Sequence, residues 1–187
     1  MDFSNPAVAS AVRQIASMPR CLGVLSSVPC RTWSASRSVP AGGGLQHSRP
    51  LRDCDNPLGF RRADGSLPPA VETANALADL AADAMSLCLD HQGFFIAEAP
   101  VSRGRNSPFA IRGRETHIGP LDRPSLAQLR RDTQSDIVYF DQCRTREHAS
   151  DGPQKSTALL CSPTALPHVR RLFGHLVCNH PFTHTLL

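Results

Sequence analysis

The sequence predicts an α/β domain with a mostly parallel sheet and helices on its faces. Short apolar runs of strand length alternate with segments of helical periodicity. The clearest periodic segment carries Val71, Ala74, Leu77, Ala78, Ala81, Met85 and Cys88, and the apolar run Phe94-Phe95-Ile96-Ala97 follows it directly. Leu22–Val28 is a second apolar run, closed by Pro29, as expected of a buried parallel strand.

The elements follow in order. Asn5-Pro6 reads as an N-cap with proline at the first helical position, and Val8, Val12 and Ile15 share one face of a helix to Ser17. The strand over 22–28 leads into a long irregular loop, 31–69, rich in Pro, Gly and Arg. The helix over 71–88 has Gly93 as its C-cap candidate, and the next strand ends at Glu98. Val101–Pro120 is irregular, Ser125–Arg131 is a short helix, and Ile137–Phe140 and Thr157–Cys161 are strands. Ser162-Pro163 caps a final helix carrying Leu166, Val169 and Leu172, with Gly174 as its stop. Residues 175–187 form a tail.

The bulk properties narrow the function classes. A chain of 187 residues makes one domain with a moderate core. The net charge of +4 permits contact with a nucleic-acid backbone without demanding it. Seven scattered cysteines, never spaced C-x-x-C, argue against a disulfide framework and a zinc ribbon and for an intracellular location, cytoplasm or nucleus. Cys178, His180 and His184, with Cys161 or Cys143, offer zinc-type ligands but lack tight paired spacing, so they read first as a frayed terminal tail and no metal site is assigned. No apolar run reaches the length of a membrane span.

The chemistry-bearing residues sit at strand ends, where open α/β sheets bind ligands. Pro29-Cys30-Arg31 follows one strand and Glu98-Ala99-Pro100 ends another. Gly152-Pro153-Gln154-Lys155 approaches a third. In this order the three resemble the Pro-Cys loop, the Glu-Asn-Val turn and the Gly-x-Pro-Gln-x-Arg approach of the cytosine-C5 DNA methyltransferases. Pro50-Leu51-Arg52, Asp141-Gln142-Cys143 and Lys155-x-Thr157 are similar to a divergent algal and protist branch of that superfamily.

The resemblance implies a partial Rossmann-like methyltransferase fold, incomplete at the N-terminus. Cys30 would be the nucleophile that adds to the pyrimidine ring, and Glu98 the acid at the base edge. Arg31, Arg52, Arg103 and Lys155 would meet DNA phosphates. S-adenosylmethionine is the implied cofactor, but no strand-Gly-x-Gly turn precedes Cys30. A missing N-terminal half on a longer gene product is therefore expected as partner. Arg31 replaces the usual Gln, Ala99 the usual Asn, and the arginines after Gln154 are absent.

Plainer readings stand beside these. Cys30 as a small core residue and Glu98 as a helix cap or partner of Arg103 need no catalysis. The whole chain also reads as a non-enzymatic gene fragment or mobile-element-associated protein, or as a small basic nucleic-acid-binding module.

Overall fold

The computed structural model describes residues 5–28, 31–33, 50–142 and 156–178. Among the described residues four helices and four strands follow in this order: α1 (Pro6–Ala16), β1 (Gly23–Ser27), α2 (Pro69–Asp90), β2 (Phe94–Pro100), α3 (Pro124–Asp132), β3 (Asp136–Asp141), β4 (Ser156–Cys161) and α4 (Leu166–Phe173). The α/β class predicted from the alternation holds.

The strand directions differ from expectation. The sheet order is β1-β2-β4-β3; β1 and β2 are parallel, while β4 runs antiparallel to both β2 and β3. The sheet is mixed rather than mostly parallel. The physical reason lies in the connections: α2 carries the chain back between β1 and β2, as a parallel crossover requires. No segment of helical periodicity separates β3 from β4, so the chain returns in the opposite sense.

Local chemistry sets the helix ends. The Asn5 side chain accepts a hydrogen bond from the Ala7 amide at 2.9 Å, and Pro6 opens α1. At the end of α2 the left-handed residue is Gln92, with φ of 63°, rather than Gly93. Ser162 does not cap α4 through its side chain. Its hydroxyl accepts from the Phe95 amide at 3.1 Å, while its carbonyl accepts from Ala165 and Leu166.

Two cores cover the two faces. Side chains alternate along β2, so Phe95 and Ala97 point to one face and Ile96 to the other. On the first, Ala78 and Met85 of α2 and Leu126 and Leu129 of α3 pack on Phe95, Ala97 and Leu160. On the second, Val169 and Phe173 of α4 meet Val138, Phe140 and Leu159, with the rings of Phe140 and Phe173 5.0 Å apart. Phe173, not the exposed Leu172, completes the apolar face of α4. Strand β1 is an edge among the described residues, and its Leu25 is 74% exposed.

Candidate functional site

The parallel pairing brings the carboxyl ends of β1 and β2 together. Ser27 of β1 lies opposite Glu98 of β2, and its hydroxyl donates to the Glu98 carboxylate at 2.7 Å. The Val28 amide donates to the Glu98 carbonyl at 3.2 Å, which carries the contact past the end of β1. Glu98 is half-buried, and its described side-chain partner is Ser27 rather than Arg103. Strand β2 runs two residues beyond Glu98, because β4 keeps pairing with it through Pro100 and Thr157. Cys30 and Lys155 lie outside the described residues, as do Cys143 and the Gly152-Pro153-Gln154 segment.

Two other sequence phrases meet on the same edge. The Gln142 amide donates to the Thr157 hydroxyl at 3.0 Å, and the Ser156 hydroxyl donates to the Asp141 carboxylate at 2.5 Å. Asp141 also accepts from the Cys178 amide at 2.8 Å. Residues that are 15 apart in sequence thus share one end of the β3–β4 pair.

Behind this edge lies a buried cluster that fixes the residues following position 30. Arg31–Trp33 form one 3-10 turn, in which Thr32 and Trp33 are buried and Arg31 is exposed. The Arg52 guanidinium stacks on the Trp33 ring, 3.7 Å from its centroid. It donates to Thr32 at 3.0 Å and to Asn75 and the Pro57 carbonyl at 2.9 Å each. Arg52 is only 4% exposed, and burial, with help from Arg123, lowers its pKa to about 10. The arginine expected at a phosphate is directed inward instead. Arg103 is likewise buried, although its chain position was expected to present it to DNA. Sequence reasoning missed the inward turn because charge alone does not report what stacks on the guanidinium.

His117 ties the loop 101–119 to the same turn. Its Nδ1 accepts from the Arg103 amide at 2.9 Å, so the ring proton sits on Nε2, which donates to the Trp33 carbonyl at 2.9 Å. Both ring nitrogens are used by a neutral imidazole, and burial holds its pKa below the ordinary value of 6.5. The unfolded chain protonates first, so stability is full above pH about 6.5 and declines as pH falls through that value. Urea unfolding should give a smaller free energy at pH about 5.5 than at about 8, with a smaller drop in His117→Gln. An unchanged pH profile in the variant would remove this role for His117.

No protein-family model, curated protein or solved structure matches the chain. The site therefore rests on its own geometry.

Two clefts flank the edge. The larger, of about 620 Å³, is lined by Tyr139, Ala158, Ser102, His117, Asp122 and Arg130 among others, and does not include Glu98. The smaller, of about 290 Å³, runs from Ser27 along β1 between Val24 and the Leu80 and Ala84 side of α2. Among the described residues no group of His, Cys, Asp and Glu could hold a metal ion. No described helix is long and apolar enough to cross a membrane.

The described residues do not fit S-adenosylmethionine. Strand β1 runs into the short turn Arg31–Trp33 and β2 into irregular chain, so neither carries a glycine-rich turn opening a helix at its carboxyl end.

Proposed function

We propose that the chain is the base-handling half of a cytosine-C5-type methyltransferase domain, competent only when a cofactor-binding half joins it. The observation that carries this reading is the pairing of Ser27 with Glu98. It sets an acidic side chain beside the strand that leads, three residues on, to Cys30. Strand β1 is an edge among the described residues, and its outer backbone suits further strands added there.

In this reading the Cys30 thiolate adds to C6 of a pyrimidine, which makes C5 electron-rich. The Glu98 carboxyl hydrogen-bonds the ring edge near N3 and stabilises the adduct. The target base is turned out of the duplex to reach them, and the exposed Arg31, with Lys155, meets flanking phosphates. Arg52 and Trp33 act as positioning residues for the loop that carries the thiol. The cofactor's cradle is not among the described residues.

Calorimetry with S-adenosylmethionine tests the division of labour. The chain alone should bind none, and a chain extended by a strand, Gly-x-Gly turn and helix before Met1 should bind and transfer methyl groups to DNA. Full transfer by that extended chain after Cys30→Ser or Glu98→Gln would defeat the reading.

A further inference from the structure

We propose that Cys21 and Cys88 are a dithiol site that closes to a disulfide on exposure to a small-molecule disulfide. The two sulfurs are 3.8 Å apart, the Cys21 thiol donating to Cys88 Sγ. Cys21 lies in the segment entering β1, and Cys88 in the last turn of α2. The Cys88 thiol donates to the carbonyls of Cys21 at 3.7 Å and Phe94 at 3.6 Å, which holds it toward its partner. Gly93 leaves it room, since a Cβ there would lie 2.3 Å from Cys88 Sγ. Closure needs the sulfurs to approach to about 2 Å, a shift that side-chain rotation can supply.

The two thiols differ in access, and that sets the order of events. Cys21 is half-buried and reachable, whereas Cys88 is buried. The Cys21 thiolate attacks one sulfur of the reagent disulfide, forming a mixed disulfide and releasing one small thiol. The Cys88 thiolate then attacks the Cys21 sulfur and releases the second small thiol. Two protein thiols give up two protons and two electrons, and the reagent's S–S bond takes up both electrons to become two thiols. Burial, which persists in the mixed disulfide, holds the Cys88 thiol above its ordinary value, so the second step is the slower one and quickens as pH rises.

The closed form ties the start of β1 to the end of α2 across the whole intervening loop. It constrains the unfolded chain and leaves the carboxyl edge, at the other end of both strands, untouched. This inference is independent of the methyltransferase reading.

The test uses the full chain incubated with oxidised glutathione, followed by iodoacetamide, trypsin and mass spectrometry. Closure predicts an intact mass lower by about 2 Da. It also predicts a link between the peptide 21–31 and the peptide 63–103, with fragment ions placing it on Cys21 rather than Cys30. The wild-type thermal midpoint rises on oxidation, and in Cys21→Ser it does not. In Cys88→Ser the glutathione adduct stays on Cys21. Iodoacetamide labelling of Cys21 and Cys88 after oxidation, or a link formed through Cys30 instead, would overturn the proposal, and neither readout depends on a variant folding.

Discussion

Trp33→Ala lowers the unfolding free energy by about 4 kcal/mol, the range for removing a buried large aromatic side chain. Trp33 is 2% exposed and belongs to the core formed with Ala74, Ala78 and Phe95. Its ring is also the platform for Arg52, so truncation removes a desolvated cation–π contact worth about 2 kcal/mol. A domain is stable by about 5–15 kcal/mol, so the loss is a large part of the total. Urea unfolding followed by circular dichroism measures it. A change below about 1 kcal/mol would mean that Trp33 is not packed as described.

Arg52→Ala has the second largest expected effect, about 3 kcal/mol. It removes three hydrogen bonds from a charged donor and takes that donor from the buried Thr32 hydroxyl and Asn75 Oδ1, while Asn75 keeps its bond to the Leu58 carbonyl. Part of the loss is offset, because the guanidinium is held charged against its own desolvation and against Arg123. Arg52→Met keeps the stem and sheds the charge, so it should cost less than Arg52→Ala. The two sites touch, so the double variant Trp33→Ala with Arg52→Ala should cost less than the sum of the singles. Additive losses would show that the stack contributes nothing.

These two residues also mark the limit of what the sequence could say. Periodic segments were legible: Asn5-Pro6 placed the start of α1, and the Val71 to Cys88 pattern placed α2 over Pro69–Asp90. The apolar runs placed all four strands to within two residues. Strand direction was read as mostly parallel, and β4 overturned that; the missing helical pattern between β3 and β4 carried the signal. The contact of Trp33 with His117 joins loops 84 residues apart, and loops have no period to reveal it. Arg52 and Arg103 looked like surface cations because their burial depends on partners elsewhere in the chain. The Ser27–Glu98 pairing was half legible. A strand, helix and strand in succession implied neighbouring parallel strands, but only the register put those two residues opposite each other.

The His117 network and the Arg52 stack serve one end, holding the turn after position 30 against the carboxyl edge of the sheet. Arg123 anchors the far side of the cluster through a two-pronged pair with Asp79, at 2.5 and 3.0 Å. That arrangement has a purpose in the methyltransferase reading only if the thiol at position 30 reacts with a pyrimidine beside Glu98.

A single-stranded oligonucleotide carrying 5-azacytosine, whose C6 accepts thiols readily, tests that point directly, since it needs neither base flipping nor a methyl donor. Incubation with the purified chain followed by peptide mapping should place a covalent adduct on Cys30, formed at least about tenfold more slowly in Glu98→Gln, the loss expected for an acid–base partner. An adduct confined to the exposed Cys54, or one on Cys30 whose rate ignores Glu98, would contradict the account.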